Sequence, residues 1–406
     1  MPALRDARPL LLCSAAFTLV LAQACSPTDG ADPATHPTAT TAAENTGHVQ
    51  PPDTYAGELP LDLLRVPEGY AVDVFADGLT NARSMAYAGD GLVFVGTRNE
   101  GSVYAALDRD GDLRADTTYV LATGMNMPNG VALRGDDLYV ATVDTVWRWR
   151  GIRARLADPG APEVVYGGYP SEKHHGWKFI RFGPDGQLYV PVGAPCNICD
   201  EEGYATITRL DVDAAAPAPE VVARGVRNSV GFTWHPATGE LWFTDNGRDM
   251  LGDDVPPCEL NRLTADGPAH FGYPYVHGGT LPDPEFGAGR DPADYAAPAQ
   301  NLGPHVAPLG VEFAAADGTF GAELAGHALI AEHGSWNRTE PIGYRLTRVP
   351  VDAAGEPGGA YEVFIDGWLQ DDGPWGRPVD LEWLPDGSLL VSDDFAGAIY
   401  RVYREA

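Results

Sequence analysis

Arg83, Arg227 and Arg377, the pair His174-His175, and the amides Asn81, Asn126, Asn129 and Asn228 are the side chains here whose types and placement could do chemistry. They fall in five polar clusters, Asn81-Ala82-Arg83, Met125 to Asn129, His174 to Trp177, Arg227-Asn228 and Trp375 to Asp380, each just ahead of an apolar run. One arginine or histidine so placed would be a structural hydrogen-bonder. Three guanidinium groups brought together would carry charge that is costly to leave uncompensated away from water. An anion with several carboxylates would satisfy them through paired, planar hydrogen bonds. Whether the clusters meet depends on the elements that carry them.

Those elements recur six times. The pairs read SMAY-AGDG-LVFVGT from Ser84, GVAL-RGDD-LYVATV from Gly130, FIRF-GPDG-QLYVPVG from Phe179 and GFTW-HPATG-ELWFTDN from Gly231. GVEF with ALIAEH from Gly310 and DLEW-LPDG-SLLVSDD from Asp380 complete the set, and each second run ends in small or acidic residues. A third alternating segment follows every pair, among them SVYAALD, TVWRWR and AIYRVYR. Short runs rich in Val, Tyr, Phe and Ile between turn residues are strands, and a repeat of roughly 45–50 residues is a propeller period. The chain is therefore predicted to be all-β, a six-bladed β-propeller with four-stranded blades and long insertions on the channel face. YAVDVFADGL from Tyr70 has no blade ahead of it, so it is expected to join the last blade and close the ring. The Pro/Gly/Asp-rich stretch from Gly278 to Pro308 reads as an insertion. In such a ring the innermost strands line the axis, so all five polar clusters converge on one end of the channel.

Composition limits the partners. A formal net charge of −30 repels nucleic acid and anionic lipid. Arg5 and Arg8 ahead of an apolar stretch from Leu10 to Ala24 read as an export signal, the stretch being shorter than the roughly 20 residues a membrane span needs. Cleavage before Cys25 would leave a lipid-bearing thiol on a Pro/Thr/Ala-rich tether. The expected layout is a signal at 1–24, a tether at 25–60 and a propeller at 61–406, exported to the periplasm and held at the membrane by the lipid alone. Secretion through the same Ala-x-Ala site is the alternative. Cys196 and Cys199 could form a tight disulfide in an oxidising compartment. Asp200 stands where c-type haem attachment needs His, so the chain carries no haem of its own, and Cys258 is left odd. Hydrolase elbow, P-loop, dinucleotide and zinc signatures are absent. Asp108, Asp110, Asp112 and Asp116 alternate like a calcium loop but lack its glycine and closing glutamate, leaving a second, structural calcium and a solvated turn as rival readings.

The run HHGWKFIRFGPDGQLYVPVGAPCNIC from His174, with VARGVRNSVGF, WFTDNGRD, AEHGSWNR and SDDFAGAIYRV, resembles the sorbosone and pyranose dehydrogenase branch of the quinoprotein sugar dehydrogenases. More distantly it is similar to soluble quinoprotein glucose dehydrogenase. The likeness runs from about Leu64 to Tyr403. It implies the same propeller, with pyrroloquinoline quinone (PQQ) lying over the channel beside a calcium ion. It implies that His175 is the catalytic base, that Arg227, Asn228 and Arg377 bind the cofactor, and that the backbone carbonyls of Gly247 and Arg248 bind calcium. Val379 stands where the glucose enzyme has a second cofactor-binding arginine, and His174 replaces an Asp. Arg83 or Arg338 would then supply the missing charge, with His333 near the place of a lysine. The implied reaction oxidises a sugar aldehyde or hemiacetal, a sorbosone-like ketoaldose or a pyranose, to acid or lactone. Electrons would leave to a separate acceptor, a cytochrome or a quinone. Trp177, Trp336, Trp368 and Trp375 are candidates to roof a sugar. Two other functions compete: a calcium-dependent lactonase using Asn129, Asn246 and Asp393, and a noncatalytic binding propeller.

Overall fold

The computed structural model describes residues 55–264 and 269–405. The expected signal at 1–24, Cys25 and most of the tether lie outside the described residues. From Tyr55 the chain already packs on the propeller, its N–H donating to the Phe395 carbonyl at 2.7 Å. Among the described residues no helix is long and apolar enough to cross a membrane.

Six antiparallel blades form a ring, with innermost strands Ala82–Gly89, Gly130–Arg134, Arg181–Phe182, Phe232–Trp234, Pro308–Phe313 and Pro378–Trp383. The second strand of each blade is an apolar run because neighbouring blades cover both its faces. Leu92–Thr97, Leu188–Val192 and Leu389–Asp393 are buried along their whole length. Outer strands meet water on one side, and Thr117–Ala122 alternates accordingly. The core is thus a set of layers between blades. Phe75, Leu390 and Ile399 of the last blade pack on Met85, Val93 and Val95 of the first, for example. Tyr70–Ala76 pairs with Ala398–Arg404 as the outer strand of the sixth blade, closing the ring as the unpartnered first segment required.

One expectation needs correction. The stretch read as an insertion contains the outer strand of the fourth blade, Gln300–Pro304, paired antiparallel with Pro257–Leu263. An edge strand needs backbone pairing on one side only and tolerates a terminal proline, so it lacks the apolar alternation of inner strands.

Deeper in the channel a polar plug joins five inner strands. Arg181 reaches both Glu312 and Glu382, the latter at 3.2 Å. Glu382 accepts the Tyr87 N–H and Glu312 accepts the Thr233 hydroxyl, each at 3.2 Å. Burial, with Glu312 and Asp380 nearby and Arg181 opposing, pushes the Glu382 carboxyl up to about 8.

Candidate active site at the channel mouth

His175 sits on the loop leading into the third blade with φ at 50°, a left-handed conformation uncommon outside glycine. A Cβ on Gly193 would lie 2.7 Å from both the Cβ and the carbonyl oxygen of His175, so only glycine lets the two loops approach. His175 Nδ1 is 2.9 Å from the Ala194 carbonyl. A carbonyl can only accept, so Nδ1 carries the proton and Nε2 keeps its lone pair. Burial, then the charges of Arg227 and His174, hold this imidazole well below its usual pKa. It is neutral at pH 7, the form a base requires. The same Ala194 donates its N–H to the Arg227 carbonyl at 2.8 Å, tying the base to the fourth blade.

Arg227 is held from several sides. Nε and Nη2 donate to the carbonyl and Oδ1 of Asn197, Nη1 to the Asn246 carbonyl, and Nη2 to Asp249 at 3.1 Å. Asn197 lies inside the Cys196–Cys199 disulfide, the tight bridge the spacing allowed. Cys258 is free and buried. The backbone N–H groups of Arg227 and Asn228 both donate to Asp245, at 2.8 and 2.6 Å. The Asn228 side-chain amide has no partner among the described residues.

Across the mouth, Asp394 takes Arg83 at 2.5 Å and His333 Nε2 at 2.8 Å. Burial alone would raise the Asp394 carboxyl, but His333, Arg83 and Arg377 hold it below the carboxylate range. The expectation of three uncompensated arginines is thereby corrected. Asp394 and Asp249 neutralise Arg83 and Arg227, and only Arg377 is left without an ion pair, its guanidinium 4.7 Å over the Phe395 ring. A further cation, absent from the sequence reading, joins it: Arg98 lies 3.6 Å over the Trp177 ring with no ion pair of its own. Arg338 is spent elsewhere, on the Asp253 carbonyl and on Asp254 at 3.4 Å.

Gly247 borders a small cavity with Asp245, Glu259, Asn246, Tyr273 and His277. Burial raises both carboxyls, and Asp245 raises Glu259 further. Two buried carboxylates beside backbone carbonyls are a donor set suited to a hard cation. The Arg248 side chain turns away to Asp283 at 2.5 Å and Glu285 at 3.1 Å, so only its backbone remains for such a role. Asp108, Asp110 and Asp116 bring oxygens within 4.8 Å of one another, whereas Asp112 stands outside that group. By strand order this loop is at the opposite end of its blade from Arg98.

The tryptophans separate. Trp368 and Trp375 are buried, with ring centroids 6.2 Å apart, whereas Trp336 is 59% exposed. Val379 is buried with Val230 and Leu309 in an apolar patch touching Trp177. The three residues a lactonase would use are committed inside the fold: Asn129 to Arg83, Ser84 and the Lys178 carbonyl, Asn246 to the carbonyls of Asn228 and Pro308, and Asp393 to Tyr400.

Comparison with known proteins agrees with this architecture. The model of a family described as TrAA12-like matches residues 64–275 and 290–405. An uncharacterized protein of Borreliella burgdorferi is 32% identical over 370 residues, covering 87% of this chain and 94% of its own. The pyrroloquinoline quinone-dependent pyranose dehydrogenase of Coprinopsis cinerea is 23% identical over 407 residues; the match takes 84% of this chain but spans only 54% of that protein. The holo form of its PQQ domain superposes with a TM-score of 0.71 at 22% identity, covering 84% of this chain and 97% of that one. The calcium structure of a Trichoderma reesei carbohydrate-active enzyme of family AA12 gives the same TM-score, identity and coverage. At such identity the structural likeness establishes the fold.

Proposed function

The chain belongs to the TrAA12-like family, and we propose that it is an exported, PQQ- and calcium-dependent dehydrogenase that oxidises a sugar aldehyde or hemiacetal to the acid or lactone. The observation that carries this reading is a neutral, buried His175 with Nε2 free, within electrostatic reach of Arg227 and of Arg98, the second of which has no carboxylate partner among the described residues. That donor set fits a planar polycarboxylate. The orphaned, buried Nε of Arg98 is an independent sign that an acceptor belongs there.

Arg377, Asn228, Arg227 and His333 would hold the cofactor, and Gly247 with Asp245 and Glu259 the calcium. When bound, the quinone supplies a carbonyl carbon that accepts hydride from the sugar carbon. His175 Nε2 takes the proton from the hemiacetal hydroxyl or, for an aldehyde, from a hydroxyl of its hydrate, whose added water supplies the second oxygen of the acid. The His175 Nδ1–H stays on the Ala194 carbonyl, which fixes the ring and steadies the imidazolium as it forms. Arg227, immobilised by Asn197 and Asp249, keeps positive charge where oxygen becomes negative. Trp336, exposed on the loop that carries Asn337 and Arg338, offers a face for a pyranose ring. Electrons then pass to a separate acceptor, a cytochrome or a quinone. The Cys196–Cys199 bridge supports export to an oxidising compartment, with Cys25 as lipid anchor. A second calcium at Asp108, Asp110 and Asp116 is part of the same reading.

The test is dye reduction by the purified mature protein across aldoses, ketoaldoses and lactones, with PQQ and calcium added separately and together. Turnover of a sugar that needs both additions supports the reading. Lactone hydrolysis with calcium alone, or no turnover with both present, overturns it.

A further inference from the structure

Arg98 directly follows the buried strand Leu92–Thr97, and its position is fixed from behind. Asn81 Oδ1 accepts the backbone N–H groups of Arg98 and Asn99 at 2.9 and 2.7 Å, so the loop cannot swing away. The guanidinium is laid 3.6 Å over the Trp177 ring, which sets its plane. No carboxylate forms an ion pair with it among the described residues, and Asp394 acts on it only from a distance. Arg98 has no ion pair, and its Nε is the one buried arginine nitrogen without a hydrogen-bond partner among the described residues. Trp177 Nε1, on the ring beneath, is also buried and unpartnered. The indole and the His175 imidazole stand 6.0 Å apart between centroids.

Arg83 shows what a satisfied arginine in this channel looks like. It is 2% exposed, its charge is met by Asp394 at Nη1, and its Nε donates to Asn129. Arg98 has the opposite character: two orphaned N–H donors on stacked side chains, one positive charge, and no acceptor. Burial, together with the charge of Arg83, lowers its pKa to about 10, so it remains a cation at neutral pH. A charge left so is costly unless an anion meets it. A carboxylate matches a fixed guanidinium plane through two parallel hydrogen bonds.

Resting on the quinoprotein reading above, we propose that Arg98 binds a carboxylate of the cofactor, supplying from the first blade the charge that apolar Val379 does not supply from the sixth. Val379 sits in the patch that touches Trp177, so the two positions face the same part of the mouth. Arg98 takes this role in place of Arg83 and Arg338.

The experiment is a tryptophan-fluorescence titration of the calcium-loaded protein with PQQ and with PQQ trimethyl ester, which keeps the rings but loses the carboxylate charges. Wild type, Arg98→Met and Arg98→Lys are compared, with the melting temperature of each before ligand is added. In Arg98→Met we expect PQQ binding to weaken tenfold or more, about 1.4 kcal/mol, while triester binding is unchanged. Unliganded Arg98→Met should melt no lower than wild type, because the charge it loses is uncompensated. Arg98→Lys should recover part of the loss, and it carries the test if the methionine variant does not fold. Wild-type affinity for PQQ in Arg98→Met, or equal loss of PQQ and triester, overturns the inference alone. Failure of wild type to bind PQQ overturns the quinoprotein reading and this inference with it.

Discussion

Arg227 and Asn197 are locked together twice, Nε to the backbone carbonyl and Nη2 to Oδ1, both at 2.9 Å. One residue thus fixes both the position and the plane of the guanidinium, and the Cys196–Cys199 bridge fixes that residue. Asn197→Ala keeps the backbone carbonyl and loses Oδ1, so we expect it to remove one charge-assisted bond to Arg227, worth on the order of 1.5–3 kcal/mol, and to lower kcat more than it raises KM. Opening the bridge with the double Cys→Ser variant should give a milder form of the same split. Steady-state kinetics of the reconstituted protein checks both, and an unchanged kcat in Asn197→Ala would remove Arg227 from the reacting oxygen.

His175 is held below its usual pKa first by burial and then by Arg227 and His174. Lowering the pKa of a base extends its active, unprotonated form toward acid. The kcat/KM profile should therefore stay flat through neutrality and fall only well below pH 6.5. His175→Ala should cost about 10²–10⁴-fold in turnover while PQQ still binds in a fluorescence titration. An acid limb centred at or above pH 6.5 would assign it to another group.

Asp394 neutralises Arg83 and anchors His333. Asp394→Asn leaves a buried guanidinium facing a neutral amide, so a loss of about 3–5 kcal/mol in stability is expected. The Asp394 carboxyl is depressed in the folded state, so its contribution is present above the unfolded value of about 3.9 and is lost as pH falls below it. Chemical denaturation of wild type should show that acid-side decline, and Asp394→Asn should lack it.

Glu382 gives the opposite sign. Burial lifts its carboxyl to about 8, so the folded state holds a proton that the unfolded chain releases at a much lower pH. Stability should fall as pH rises from about 4.5 to about 8. Glu382→Gln, which leaves Arg181 its bond to Glu312, should flatten that slope in melting curves taken across the range. A variant with the slope intact would place the titration elsewhere in the plug.

Much of this architecture was legible in the residues. Apolar runs, Gly/Asp turns and a fixed period specify a propeller because each blade can bury its faces only against its neighbours. The unpartnered segment at Tyr70 required closure for the same reason. The clusters ahead of the inner strands were legible too, since position along the blade fixes which end of the channel a residue faces. The other half of the mouth was less legible. Arg98, Ala194, Asn197, Asp249 and Asp394 all follow second strands, as does His333, which entered only through the family resemblance. An antiparallel hairpin returns its second strand to the level where the first began, so those loops share the mouth. The signal was present in the small and acidic residues that end each second run.

The sequence by itself determined the ring, its closure and the set of side chains delivered to one end of the channel, because strand periodicity and turn chemistry are local. Only the tertiary structure decided which charges remain there. Asp394 lies 311 residues from Arg83 and forms an ion pair with it, whereas Arg98 has no ion pair among the described residues and only feels Asp394 from farther off. Compensation of charge depends on distances between blades, and those are set by packing around the ring rather than by any neighbour along the chain.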